Sequence, residues 1–513
     1  MDASRQLGSD RDLRLAGLLA TGVSVAALYV LSALTTGVPF PPTSIAEAVL
    51  RAMPGDVATF FIELLQHRAR TLLMAGALVA TLLFGAEVLR LTARGGTPKP
   101  FVAGGLLGVL ATIAIALGPH EEVAPIAVLV SLSAVAMLYG FVARRLTGVL
   151  AQAGQGAEVD AGRRRALRLG VGGAIGIAVG GGALGWLARR LGGPDTNVAL
   201  ASPAERALVP ERPPFPEIPG LSPEITEAAD HYVVDINLVQ PSVEAEGWTL
   251  GVGGLVDKPM KLTFAELQER FDVVEEFAVL TCISNEVGGD LVGNSAWGGV
   301  RMRDVLEEAG VAEGAVDVVF YGADRYSDSI PLEVAMDPSV LIAVSQNGRP
   351  LLQEHGFPCR VRIPRIYGMK NVKWLERIEV VDIDYQGYWM QRGWSDVAAV
   401  RTESRIDVPT RDTDLAPGTD AWIAGVAWAG DRGISKVEVS TNGGSDWSEA
   451  MLKEPIGRFA WTQWAFQWAP PESGDYSLAC RATDGNGQTQ TPDLAPPHPT
   501  GATGYHYRDV TVG

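Results

Sequence analysis

Phe277-Ala278-Val279-Leu280-Thr281-Cys282, then Ile283-Ser284-Asn285 and the glycines Gly288, Gly289 and Gly293, is the stretch on which the reading of this chain turns. A short apolar run bounded by glycines reads as a buried strand. It ends on a cysteine, and the glycines after it open a turn. Such a cysteine either presents its sulfur to a pocket or, as is commoner for an isolated thiol, packs into the core. These residues alone leave both readings open.

Strand-like and helix-like pieces alternate around it. Trp248-Thr249-Leu250-Gly251-Val252 alternates as a strand does, and Thr263-Phe264-Ala265-Glu266 opens an amphipathic helix with capping-box spacing. Upstream, residues 195–220 hold Pro203, Pro210, Pro213, Pro214, Pro216 and Pro219 and read as an extended linker. From about residue 410 short alternating strands take over: Ala421–Ala427, Val437–Val439, Trp461–Trp468 and Tyr476–Cys480, with Asn442-Gly443 as a hairpin signal. This pattern predicts an immunoglobulin-like β-sandwich of about 100 residues. Cys480 shares a face with Leu478 and Tyr476 and reads as core.

The first 194 residues differ in kind. They carry 17 Lys and Arg against 11 Asp and Glu, a net of +6, whereas the remainder carries 25 against 48, a net of −23. Five apolar stretches, at 15–36, 71–91, 101–118, 123–142 and 169–187, are each about long enough to cross a hydrocarbon core of ~30 Å. Cations gather before the first (Arg5, Arg11, Arg14), between the second and third (Arg90, Arg94, Lys99) and between the fourth and fifth (Arg144 to Arg168). This predicts an internal N-terminus and an external C-terminal half. Gly162-Arg163-Arg164-Arg165-Ala166-Leu167-Arg168 fits a twin-arginine export signal and a plain positive-inside cluster equally. His67 and His120 fit an outer-face haem less well than they fit solvated interfacial positions, and Glu63 and Glu87 read as interfacial.

At 513 residues, with 20% charged residues and a mean hydropathy of +0.14, the chain is neither disordered nor one domain. Its net charge of −17 argues against nucleic acid as a partner. Three cysteines, Cys282, Cys359 and Cys480, exclude a disulfide framework, and no CxxC or Cys/His cluster suggests zinc.

Three ordered blocks carry a resemblance. The first is Leu280–Asn285 with Gly293-Asn294-Ser295-Ala296-Trp297-Gly298-Gly299-Val300-Arg301. The second is Phe320–Asp324, Tyr326-Ser327-Asp328-Ser329-Ile330-Pro331-Leu332 and Ala335–Pro338. The third is His355-Gly356-Phe357-Pro358-Cys359-Arg360 with Tyr367-Gly368-Met369-Lys370-Asn371-Val372-Lys373-Trp374-Leu375. Over about residues 225–512 the chain resembles the sulfite oxidase family of molybdopterin enzymes. The resemblance implies that Cys282 ligates molybdenum as a thiolate and that Tyr326 is a neutral donor beside the metal. It assigns cofactor anchoring to Asn237, Asp324, His355, Arg360, Asn371, Val372 and Lys373, with Arg360 and Lys373 suited by charge to the pterin phosphate.

Two departures bear on substrate. Ungapped spacing places Asp235 where sulfite oxidases proper carry an arginine, and Ser284-Asn285-Glu286-Val287 stands in place of their Gly-Asn-Arg-Arg. The Tyr367–Lys370 stretch instead resembles the bacterial periplasmic methionine sulfoxide reductase branch. The expectation is therefore transmembrane helices over 1–194, a Pro-rich linker over 195–224, an α+β molybdopterin domain over 225–405, and a sandwich of dimerisation type over 406–513. The whole is a membrane-anchored oxidoreductase moving an oxygen atom on a small sulfur- or nitrogen-oxo compound. The 513 residues show no cytochrome b5-like haem segment, so a separate cytochrome or quinone exchanges the electrons. The rival is a non-catalytic membrane-anchored binding protein that keeps the fold. A transporter is disfavoured, because the spans show no internal repeat or central charge pair.

Overall fold

The structure, a computed structural model, describes residues 10–34, 40–53, 69–93, 99–117, 125–152, 198–237 and 240–513, with a few isolated positions besides. It forms two compact units, residues 1–193 with 237–239, and residues 194–236 with 240–513.

In the first unit five helices are described: α1 Asp10–Leu34, α2 Pro41–Ala52, α3 Ala69–Thr92, α4 Pro100–Leu117 and α5 Pro125–Gln152. Three apolar windows, Asp10–Ser32, Leu72–Thr92 and Val128–Val149, are long and apolar enough to cross a membrane, whereas the Pro100–Ile113 part of α4 is shorter. Helix α2 answers to none of the expected spans, for its twelve residues are too few to cross. The fifth expected span lies outside the described residues apart from 171–173 and 176, as do His67, His120, Glu63 and most of the Arg163–Arg168 run. Small residues let the helices approach closely. A Cβ on Gly104 would come 2.3 Å from the Ala136 carbonyl oxygen, and the Tyr139 hydroxyl donates to Gly85 O at 2.9 Å. Glu87 is clamped between Arg14 (2.5 Å) and Arg90 (2.6 Å).

The second unit begins with two sheets. Strands β1 Thr249–Gly254, β2 Met260–Thr263, β5 Asp317–Gly322, β6 Ser327–Pro331 and β10 Leu375–Val381 run in the order β2-β1-β10-β5-β6. Strands β3 Val273–Thr281, β4 Val292–Arg301, β7 Leu341–Gln346 and β8 Arg349–Pro350 run in that order, with β9 Arg360–Arg362 paired to β7. Every pairing is antiparallel except that of β1 with β10. The sheets share one core, in which Leu250, Val300, Phe320, Ile342, Val361 and Ile378 are fully buried.

Three short helices connect them: α6 Phe264–Arg270, α7 Met302–Ala309 and α8 Leu332–Ala335. The capping box at the start of α6 is formed in both directions between Thr263 and Glu266. In α7 the buried residues Met302, Val305, Leu306 and Ala309 fall at helical spacing, and Gly310 ends the helix at φ 71.

Strand β3 is an edge, and it is covered rather than left open. Residues 204–205 of the Pro-rich segment pair with it: Ala204 N–H donates to Val273 O (2.7 Å) and Glu275 N–H to Glu205 O (2.8 Å). Farther along, Val279 N–H donates to Phe459 O at 2.9 Å. The segment read as a linker is thus partly a strap on the edge of this sheet.

The C-terminal part is β-rich. Strands β11 Glu403–Val408, β12 Ala421–Trp428, β15 Met451–Leu452 and β16 Thr462–Trp468 form one sheet, in the order β11-β12-β16-β15. Strands β13 Ile434–Ser440, β14 Ser448–Glu449, β17 Gly474–Asp484 and β18 His506–Val512 form the other, in the order β14-β13-β17-β18. Ile406, Val437, Trp464, Leu478 and Cys480 share the core between them, Cys480 as expected. Asn442-Gly443 lies in a loop longer than a two-residue turn, because Val439 pairs with Ser448 and Asn442 Oδ1 accepts from Asp446 N (2.9 Å).

Thr263→Ala removes the α6 cap and is expected to cost about 1 kcal/mol, read as a lowered midpoint of thermal unfolding with the site undisturbed.

Candidate functional site

Cys282 follows the last residue of β3. Its N–H donates to Leu291 O (2.9 Å), its carbonyl accepts from Asn285 N (3.1 Å), and Asn285 Oδ1 accepts from Leu291 N (2.9 Å). The turn is therefore closed by backbone bonds and by one amide. The thiol is 7% exposed and lies 2.9 Å from Ser284 Oγ. Burial pushes its pKa up, which the Ser284 contacts only partly oppose. At neutral pH the free thiol keeps its proton, and a metal would have to displace it. Cys359 and Cys480 are wholly buried.

Arg360 and Arg362 alternate along β9 and so share a face. Arg360 donates to His355 O (3.1 Å) and Asn371 O (3.0 Å). Arg362 donates to Asn371 Oδ1 (3.3 Å) and to Val279 O on β3. Both guanidiniums stand over the Trp297 indole, at 5.5 and 5.6 Å. Among the described residues neither is ion-paired to a carboxylate, and the Nε of each has no hydrogen-bond partner. Burial lowers their pKa values to about 10 and about 9, so both stay charged at neutral pH. Two buried like charges are costly unless an anion joins them. Arg362 was missed in the sequence; its only signal there is a second arginine two residues along a strand.

His355 contacts Ala228 O through Nε2 (2.6 Å), and its ring lies 5.6 Å from that of His231. Burial lowers these histidines to about 4 and about 3, leaving both neutral. His231 was not anticipated. It is 3% exposed, and its Nε2 has no partner among the described residues. Asn371 acts through its backbone and its amide, with Oδ1 also accepting from Ile363 N (2.8 Å), and Val372 O accepts from Val361 N (2.9 Å). His355, Arg360, Arg362, Asn371 and Val372 thus form one connected group that reaches β3 three residues before Cys282.

Lys373 donates to Asp235 Oδ2 (3.1 Å) and Glu354 O (2.9 Å). This changes the reading of Asp235, which is no bare carboxylate in an anion's path but the partner of a buried lysine. Asp324 Oδ1 accepts from Tyr326 N at 3.0 Å. The Tyr326 hydroxyl is directed at Asp328 Oδ2 and Met369 O, each at 2.8 Å. Asn237 is 4% exposed and falls in the first unit.

Glu403, the first residue of β11, is 5% exposed. It accepts from the Tyr367 hydroxyl (3.3 Å) and from Asn285 Nδ2 (3.4 Å), the amide that closes the Cys282 turn. Burial raises its pKa to about 8 against the opposing pull of those two bonds.

Residues 237–389 match the oxidoreductase molybdopterin binding domain, and residues 396–496 the Mo-co oxidoreductase dimerisation domain. Chicken sulfite oxidase is 32% identical over 310 residues, which are 51% of this chain and 67% of that protein. Rat mitochondrial sulfite oxidase is 34% identical over 242 residues (40% and 43%), and barley NAD(P)H nitrate reductase 30% over 336 (53% and 37%). The chain therefore spans less than half the length of the rat and barley proteins. In fold it is similar to the sulfane dehydrogenase of Paracoccus pantotrophus, with a TM-score of 0.50 and 24% identity over 57% of this chain and 85% of that one. The chain belongs to the sulfite oxidase family of molybdopterin-dependent oxidoreductases. Membership implies the molybdenum cofactor.

An unfolded glutamate releases its proton near 4.5, while folded Glu403 keeps its own to about 8. Its contribution to stability is therefore full below pH 4.5 and is lost as pH rises to 8. Urea midpoints measured across that range should fall less steeply for Glu403→Gln than for the parent.

Proposed function

We propose that this chain is a membrane-anchored molybdenum-cofactor oxidoreductase that moves an oxygen atom to or from a small sulfur- or nitrogen-oxo compound. The observation that carries the reading is the pair of buried guanidiniums, Arg360 and Arg362, ion-paired to no carboxylate among the described residues and tied to the strand that ends at Cys282. Cations of this kind suit a phosphate, and a strand-end thiol suits a metal that brings its own sulfur ligands. The residues present fit the cofactor. Arg360, with Arg362 and Lys373, would hold its phosphate, His355, Asp324 and the Asn371–Val372 backbone would face its polar edges, and Cys282 would ligate the metal. Among the described residues no three His, Cys, Asp or Glu side chains gather as a metal cage, and Cys282 would be the ligand this chain offers to a metal carried by the cofactor. When bound, the cofactor supplies two-electron oxygen-atom transfer.

The chain's own residues set what reaches that centre. Trp297 and Tyr232 flank the cations, and Tyr326 is held as a neutral phenol because burial and the nearby Asp328 carboxylate raise its pKa well above the usual value. Asp235 consumes the charge of Lys373, and Glu286, exposed in the turn after Cys282, adds none that is positive. A sulfite dianion would need cations to offset its lost hydration. A neutral or zwitterionic oxide such as a sulfoxide is the better match.

Three helices long and apolar enough to span support membrane anchoring, and the cation distribution in the sequence supports an external catalytic unit. The dimerisation-domain match supports a homodimer, with a separate cytochrome or quinone exchanging electrons. A binding protein that had lost catalysis would not be held to the thiol and the buried cations together.

Cys282→Ala should lower turnover at least roughly 100-fold while leaving circular dichroism unchanged, and Cys359→Ala and Cys480→Ala should keep both metal and turnover. Molybdenum analysis of the parent comes first: metal-free protein from cells able to make the cofactor would favour the binding-protein alternative. Steady-state kinetics on sulfite and a sulfoxide panel should give the higher kcat/KM for a sulfoxide, and a micromolar KM for sulfite would refute the charge argument.

A further inference from the structure

Behind Tyr326 a line of ionisable groups leads outward. The Tyr326 phenol, 8% exposed, donates to Asp328 Oδ2 at 2.8 Å. Asp328, fully buried, accepts at Oδ1 from Lys370 Nζ at 3.1 Å and from Ser329 N at 2.9 Å. Lys370, 1% exposed, donates also to Ser329 O (2.8 Å) and to Asp396 Oδ1 (3.0 Å). The Asp396 side chain is 47% exposed. The inner end lies near the metal cysteine: Met369 O accepts from the Tyr326 hydroxyl, and a Cβ on the preceding Gly368 would stand 3.4 Å from the carbonyl of Thr281, next to Cys282.

A buried ion pair adds little stability by itself. A pair serving only to fix packing would have no reason to extend to a carboxylate in water on one side and to a phenol on the other. The redox chemistry supplies a reason. Reducing a sulfoxide takes two electrons from a quinol or cytochrome partner and two protons, and yields a sulfide and water. Oxidising sulfite with water gives sulfate, two protons, and two electrons to the same kind of partner. In either direction two protons must cross the buried layer in each cycle.

We propose that Tyr326, Asp328, Lys370 and Asp396 form the proton relay between the oxygen-transfer site and solvent, an inference that rests on the function proposed above. For release, a proton on Tyr326 Oη passes to Asp328, while Tyr326 is reprotonated from the site. Lys370 gives a proton to Asp396 Oδ1 and regains one from Asp328, and Asp396 hands its proton to water. Uptake runs the same steps backwards. The groups facing the relay from neighbouring elements are Asp324 beside Tyr326, Tyr388 with its ring 5.9 Å from that of Tyr326, and Asp317, which accepts from Ser329 Oγ at 2.9 Å.

Asp396→Asn tests the outer end without disturbing the buried pair, and Asp396→Glu is the conservative control. Full-length protein is assayed with reduced methyl viologen and dimethyl sulfoxide, or with ferricyanide and sulfite, whichever the parent turns over. Proton uptake or release is followed with a pH indicator in weak buffer. Asp396→Asn should retain parental molybdenum and KM, lose roughly 10- to 100-fold in kcat and in the proton-transfer rate, and show a larger solvent isotope effect. Added formate or acetate should restore part of the rate, and Asp396→Glu most of it. Parental kcat and proton kinetics in Asp396→Asn would overturn the relay, as would a loss that small acids do not rescue and that tracks lost molybdenum. A molybdenum-loaded parent inactive in both assays would overturn the functional reading itself, and the relay with it.

Discussion

The structure is organised around an electrostatic debt at β9. Two guanidiniums are sunk against the same indole, with carbonyls and an amide as hydrogen-bond partners; among the described residues no carboxylate is ion-paired to either, and Glu276 acts on Arg362 only from a distance. Carbonyl dipoles and an aromatic face soften such a burial without neutralising it. Everything near them is arranged to hold that state: Trp297 is fully buried on β4, Asn371 divides its amide between Arg362 and the backbone, and Arg362 spans to the β3 carbonyl. Because that carbonyl belongs to the strand ending at Cys282, charge balance and thiol position are set together. The anion of the proposed cofactor would relieve the first and steady the second.

Local signals in the sequence were reliable where the chemistry is local. The Thr263–Glu266 box forms as its spacing dictates, and the Phe277–Cys282 run is the end of a buried strand. The three blocks identified the family because three ordered stretches at family spacing are far more specific than any single short motif. What escaped depends on partners distant in sequence. Asp235 looked like an unopposed anion because Lys373, which neutralises it, is 138 residues away. Arg362 carries no local mark that separates a surface arginine from a buried one. The Pro-rich segment lacks any strand period, yet two of its residues pair with β3, since an edge strand accepts any extended neighbour. Helix α2 is short enough to be invisible to a search for spans.

The relay and the cation pair divide the work on opposite sides of the same loop. Residues 368–373 lie between them, with Lys370 committed to Asp328 and Asp396, Asn371 to Arg362, and Lys373 to Asp235. Two lysines three residues apart thus serve separate networks, one leading to solvent and one to the proposed cofactor.

Glu403 has a consequence for how such proteins diversify. It sits on the first strand of the β-rich part, yet it grips the amide that closes the turn of Cys282. The C-terminal sheets are consequently no interchangeable module. A recombinant joining this catalytic half to another relative's β-rich half would inherit a thiol turn without its clamp, unless the donor brought an equivalent carboxyl. Gene shuffling across this junction is constrained by a single side chain.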